Sequence, residues 1–137
     1  MAEENKDLIR RVWDEIFNKG NFDAVEDCFA PDAAFPSAQP GISPDLEGFK
    51  QTVSSYRAAF PDLCIKFEDQ VANGAKVASR VSITGTHRGA LGKLAATGKE
   101  IAIDGINLIE VRDGKIVTVW GMSDQLRMMR QIGAVPA

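Results

Sequence analysis

With 137 residues, 45% of them apolar and 26% charged, and a formal net charge of −3, the chain is sized for one globular domain around one core. The densest cationic spots, Arg10-Arg11 and Arg127 to Arg130, are flanked or interrupted by apolar residues, which excludes a nucleic-acid partner that follows a phosphate backbone. The opening "MAEENKDLIRR" is too charged for a signal peptide, and no apolar run approaches the roughly 20 residues that span a bilayer, so the expectation is a cytoplasmic protein without a membrane partner.

Residues 3–18 read as an amphipathic helix, with Leu8, Ile9, Val12, Trp13, Ile16 and Phe17 on one face. Gly20 stops it, and Asn21 can cap a second short helix that buries Phe22, Val25, Cys28 and Phe29 and ends at Pro31-Asp32. The stretch "PSAQPGISPD" (36–45) is a loop or lid. A third helix spans about 45–59 and presents Leu46, Phe49, Val53, Tyr56 and Phe60 inward until Phe60-Pro61 stops it.

The hydrophobic period then changes to two. Leu63, Ile65 and Phe67 begin a strand, Asn73-Gly74 signals a hairpin, and Val77 to Arg88 forms a second strand. After "GALGKLAATG", Ile101 to Arg112 and Lys115 to Ser123 form two more strands around the Asp113-Gly114 turn, and Asp124 to Ile132 closes the chain as a short helix. Helices followed by a meander give an α+β class: three N-terminal helices packed on a strongly curved, mostly antiparallel sheet, plus the short C-terminal helix, in a single domain over residues 1–137. Long twisted strands curl, and helices over their concave side enclose a conical apolar pocket for a small molecule.

Cys28 and Cys64 sit in apolar patterns without a CxxC, as reduced packing residues. One histidine in the whole chain leaves no His-based metal site, and no phosphate-binding glycine loop is present, so no metal or cofactor is expected.

Asp124 stands where the last strand meets the last helix. Thr118, Trp120, Met122 and Asp124 share one strand face, so an inward Trp120 and Met122 would carry the acid into the pocket, where apolar surroundings raise a carboxyl pKa toward that of a general acid/base. The alternative is a helix cap that accepts from free backbone N–H groups. His87 joins Asp124 as a candidate catalytic residue, or is a strand-end residue beside Arg88-Gly89. Trp120 and Met122 are candidate pocket walls. Glu110 and Asp104 share a strand face with Ile106 and Leu108 and line the pocket if that face points inward; Asn107 is on the opposite face. Tyr56 and Trp13, on inner helix faces, are candidate substrate contacts or core.

Taken in order, "YRAAFPDL" (56–63), "GTHRG" (85–89), "ATGKEI" (96–101), "IEVRDGKIV" (109–117) and the closing "W…D" before "QIG" resemble the SnoaL-like polyketide cyclases of the ketosteroid-isomerase-like superfamily, over nearly the whole chain. The resemblance implies a conical pocket, dimers, a carboxylate at Asp124 as general acid/base, and cofactor-free intramolecular aldol closure of a polyketide ester. Two positions that are often histidine in that family are not here: Val119, before the tryptophan, and the "AFPSAQPG" loop.

The expected function is acid/base catalysis on a hydrophobic, carbonyl-bearing small molecule, by cyclisation or a related isomerisation. Its alternatives are a binding protein for such a ligand without turnover, a dimerising interaction domain, and an epoxide hydrolase built on Arg80, Asp104 and Asp124. Because the sheet is apolar on both faces (Val77, Val81 and Ile83 on one strand, Ile106 and Leu108 on the next), a homodimer packed through it is expected.

Overall fold

The structure, a computed structural model, describes residues 2–136. Helix α1 (Ala2–Trp13) buries Ile9, Val12 and Trp13, and its last turn widens into a π-turn over Asp14–Asn18. That widening has a local purpose: Asn18 Nδ2 donates to the Ile65 carbonyl (3.0 Å) while its Oδ1 accepts from the Ile65 N–H (2.6 Å), so one side chain pairs the free edge of the sheet as a strand would.

Two short 3-10 turns follow, Phe22–Ala24 and Glu26–Cys28, where a second helix was expected. Instead of ending a helix, Pro31 lies within strand β1 (Phe29–Ala34). Phe29 is already extended (φ −99°, ψ 143°), and on an edge strand Pro31 needs no ladder donor. The three-helix expectation is corrected accordingly. Two long helical segments and a pair of tight turns precede the meander, and the apolar spacing in 22–29 came from turns running into a strand.

Helix α2 (Leu46–Ala59) starts at Asp45, whose carboxylate accepts from the Gly48 N–H at 3.0 Å, and it stops at Phe60 ahead of Pro61. Strands β2 (Cys64–Asn73), β3 (Lys76–Thr86), β4 (Glu100–Arg112) and β5 (Lys115–Ser123) form the antiparallel meander, and α3 (Gln125–Gln131) closes it. The spatial order is β1-β5-β4-β3-β2, with β1 parallel to β5, so the curved sheet is mixed.

Parity along β4 decides what faces inward. Ile101, Ile103, Gly105, Asn107, Ile109 and Val111 are buried, whereas Ala102, Asp104, Ile106 and Leu108 are exposed. On β5 the register pairs Val119 with Ile109, Gly121 with Asn107 and Ser123 with Gly105, which sets those three on the inner face. At one end of the cone α1 and the Phe29–Phe35 segment fill the sheet with Val77, Ile109, Val111 and Ile116. At the other, Phe60, Leu63, Ile101, Ile103, Met128 and Ile132 pack together. Between these two ends the inner face is left partly open.

No helix among the described residues is long and apolar enough to cross a membrane.

Candidate functional site

The opening is a cavity of about 420 Å³, walled by residues of all three helices, the sheet and the loop after β1. An aromatic group forms one wall. Trp13 lies against Phe49 with ring centroids 5.7 Å apart, and Phe49 stacks on Phe35 at 4.7 Å. Opposite, the sheet contributes Val81, Ile83, Ile103 and Val119. Gly121 keeps the floor open, since a Cβ there would meet nothing nearer than 3.8 Å, whereas at Gly105 the Val81 side chain packs 3.2 Å from where a Cβ would be. The 36–45 loop brings Ser37, Ala38, Gln39 and Ile42 to the cavity. Ser37 fastens it, because β1 pairs with β5 only as far as Thr118, and the Gly121 N–H beyond donates to Ser37 Oγ at 2.9 Å.

The polar groups on the wall are neutral. Tyr56 O–H donates to Gln125 Oε1 (3.1 Å), and Gln125 Nε2 donates to Ser123 Oγ (2.6 Å). The chain runs in one direction, so the Ser123 hydroxyl keeps its own proton to offer. Burial pushes the Tyr56 phenol above its ordinary pKa, against a smaller opposing effect of its bond to Gln125, so it stays protonated. Asn107, 6% exposed, is the remaining inward polar side chain on β4. Among the described lining residues there is no Asp, Glu, His, Lys or Arg.

Four of the residues singled out from the sequence line this cavity: Trp13, Tyr56, Trp120 and Met122. Trp13 and Tyr56 are on inner helix faces, as their spacing indicated. Trp120 and Met122 are 38% and 62% exposed and reach the rim from the strand's outer face.

The other four are placed elsewhere. Asp124 is exposed, and its Oδ1 accepts from the Arg127 N–H at 3.1 Å as the N-cap of α3, while its own N–H donates to the Asp104 carbonyl at 3.0 Å. The shared-face argument fails for two reasons: Trp120 and Met122 belong to the outer parity, and the chain has left the strand before Asp124. The expectation that this acid is delivered into the cone is corrected. Asp104 is exposed on the outer face, and Glu110, on the same parity, pairs with Arg112 at 2.5 Å; neither lines the cavity. Since Asp104 and Asp124 are both outside the cavity, the acid–arginine–acid arrangement with Arg80 is not assembled in it.

His87 is fully buried, yet behind the cavity lining. Its Nδ1 accepts from the Thr97 N–H at 3.2 Å and lies 2.9 Å from Thr97 Oγ1, which leaves the ring proton on Nε2, an atom with no partner among the described residues. Its ring packs beside Phe60 at 5.4 Å. His87 also ties down the 88–98 loop through backbone bonds: its N–H donates to the Lys99 carbonyl (2.8 Å) and its carbonyl accepts from Gly98 (2.7 Å). It is a structural pin rather than a residue that touches ligand.

Sequence reasoning passed over Gln125 and assigned Ser123 only a possible capping role. It set Asn107 on the losing side of a parity choice. The available signal was the run Ile101, Ile103, Ile109 and Val111, four β-branched residues against Asp104 and Glu110; the apolar Ile106 and Leu108 between them masked it.

Comparison with known proteins agrees with this geometry. A profile of the SnoaL-like polyketide cyclases matches residues 7–132. The aklanonic acid methyl ester cyclase DnrD of Streptomyces peucetius is 31% identical over 134 residues, covering 93% of this chain and 89% of its own. The crystal structure of wild-type IdmH from Streptomyces antibioticus is 31% identical and superposes with a TM-score of 0.79 over 94% of this chain and 98% of that one. TsrD from Streptomyces laurentii, 22% identical, shares the fold with a TM-score of 0.86 over 97% of both chains. A match across nearly the whole length, on a curved α+β cone enclosing an apolar cavity, makes the chain a member of the SnoaL-like polyketide cyclase family.

Proposed function

We propose that this protein binds a hydrophobic, carbonyl-bearing small molecule of the polyketide class in its cone and promotes intramolecular ring closure without a cofactor. The observation that carries the reading is the cavity: about 420 Å³, aromatic and aliphatic walls, and one directed chain of neutral donors. Its relatives named as aklanonic acid methyl ester cyclases support the reaction class.

An aldol closure needs a carbon acid and a carbonyl brought face to face, with the new oxyanion stabilised. A cavity of this shape folds a flexible chain and sets its reacting groups together, and orientation of that kind can take on the order of 7–11 kcal/mol off a barrier. The Ser123 hydroxyl, polarised by the Tyr56–Gln125 pair behind it, is placed to donate to an oxygen that gains charge. The described lining residues hold no base, so the proton between two carbonyls, acidic enough for a weak base, passes to a solvent or buffer base at the open rim as the enolate forms, and the alkoxide left by C–C closure takes a proton back from solvent.

A second reading is ligand binding without turnover. It is favoured by one observation, the lack of an ionisable acid or base other than Tyr56 among the described lining residues. Incubating the protein with an aromatic polyketide ester such as aklanonic acid methyl ester separates the two. Formation of a ring-closed isomer of equal mass, above the rate in buffer, supports catalysis; saturable binding with no isomer supports the second reading.

A second copy of the chain is the proposed partner. Ile106 pairs with Met122 and Leu108 with Trp120 across β4 and β5, and all four side chains are exposed on the outer face of the sheet. Such a contiguous apolar patch calls for a cover, and a two-fold pairing of the same face supplies one.

A further inference from the structure

Asn107 carries a primary carboxamide on the cavity wall, 94% removed from solvent, with no hydrogen bond to it among the described residues and its Oδ1 buried without a partner. The neighbours explain why nothing in the protein satisfies it. Opposite on β5 is Gly121, with no side chain, and the previous inner-face residue of β4 is Gly105. Opposite on β3 is Ser79, whose Oγ accepts from Gln70 Nε2 at 3.2 Å and makes no hydrogen bond to the amide. Val81 and Val119, both buried, offer no polar atom. A buried amide without partners is rare and costly in a native fold. Here it lines the cavity beside Gly121, where an added Cβ would meet nothing nearer than 3.8 Å.

We propose that Asn107 is a specificity-determining residue that recognises, in the bound ligand, a hydrogen-bond donor and acceptor set side by side: a hydroxyl or N–H next to a carbonyl, as in a hydroxy ketone, an enolised dicarbonyl or a lactam. The inference rests on the cavity being the binding site and adds which part of the ligand the sheet reads. A primary carboxamide presents one acceptor and two donors on a planar group, so its complement is a planar donor–acceptor pair. Oδ1 is closed off in the unliganded orientation, so a ligand that carries the pair engages both amide atoms with the carboxamide turned about χ2, whereas a ligand with a carbonyl alone satisfies only the amide N–H. Gly121 lets such a planar group lie against the backbone beside the amide.

Three bicyclic probes of similar size test this: 2-quinolinone, which carries the pair; N-methyl-2-quinolinone, which keeps the carbonyl and loses the donor; and naphthalene, which has neither. Dissociation constants are measured for the wild type and for Asn107→Leu, with a thermal melt to show that the variant folds. The expected result is that the wild type binds 2-quinolinone about tenfold more tightly than its N-methyl derivative, and that Asn107→Leu abolishes this preference while still binding naphthalene. The comparison within the wild type stands alone if the variant does not fold, because N-methylation otherwise favours transfer into an apolar cavity. N-methyl-2-quinolinone bound as tightly as 2-quinolinone, or an unchanged preference in Asn107→Leu, overturns the inference and leaves the cavity reading intact. If no probe binds the wild type, both are overturned.

Discussion

The phenol of Tyr56 on α2 donates to the side-chain carbonyl of Gln125 at the start of α3, 3.1 Å away and 69 residues on in the chain, so the two helices are joined along the cavity wall. Replacing Tyr56 by Phe removes this bond and the polarisation behind Ser123 while keeping the ring. The expected outcome is a loss of about 0.5–1.5 kcal/mol in chemical denaturation. Naphthalene affinity is retained, and any ring-closure rate falls. A Tyr56→Phe variant with full turnover assigns the phenol to packing alone.

Asp124 gives a prediction opposite to that of a buried acid. As an exposed N-cap bonded to the Arg127 N–H, it should tolerate Asn with little change, whereas Ala should cost about 1 kcal/mol, from the usual range of roughly 0.5–2. Turnover should be the same in Asp124→Asn as in the wild type. Stopped turnover in a folded Asp124→Asn protein would return the acid/base role to this residue.

Asp62 ties two of the motifs together. Its Oδ1 accepts from the Thr86 N–H at 2.7 Å and its Oδ2 from the Thr86 hydroxyl at 2.8 Å, and these bonds hold its pKa below the ordinary carboxylate value. With the folded pKa depressed, the contribution to stability is complete above the unfolded pKa of about 3.9 and is lost as pH falls through the folded value. Thermal melts between pH 6 and 3 should therefore show a steeper loss for the wild type than for Asp62→Asn.

The same contacts say what was legible in the sequence. "YRAAFPDL" and "GTHRG" resemble a family because they interlock. Asp62 holds Thr86, the Phe60 Cβ lies 3.1 Å from where a Cβ on Gly85 would be, and such an atom on Gly89 would strike the Ala58 carbonyl at 2.1 Å. Glycine at 89 is a packing requirement and at 85 a close fit, so these contacts of the two motifs serve the fold. The four strands of the meander were readable because alternation and the Asn73-Gly74 and Asp113-Gly114 turns agree. Strand β1 was hidden because Pro31 and a helical spacing of aromatics over-rode six extended residues. Which face of β4 points inward was not readable, because exposed apolar residues look like core residues in sequence; Ile106 and Leu108, 51% and 41% exposed, are such residues.

That outer face gives a prediction about assembly. Leu108→Lys places a charge at the centre of the apolar patch, where Leu108 opposes Trp120. Light scattering at tens of micromolar should give twice the chain mass for the wild type and the chain mass for Leu108→Lys. A wild-type monomer contradicts the proposed pairing.

The central claim is that the cone is where ligand binds, and blocking it tests this most directly. Gly121 faces the cavity, its φ lies outside the left-handed region, and a Cβ there would meet nothing nearer than 3.8 Å, so Gly121→Phe projects its ring into the cavity without straining the backbone. Isothermal titration of wild type and Gly121→Phe with aklanonic acid methyl ester is the measurement. The expected result is saturable binding to the wild type and none to a Gly121→Phe protein whose melting temperature is equal or higher. Equal affinity in the two proteins would place the ligand elsewhere and contradict it.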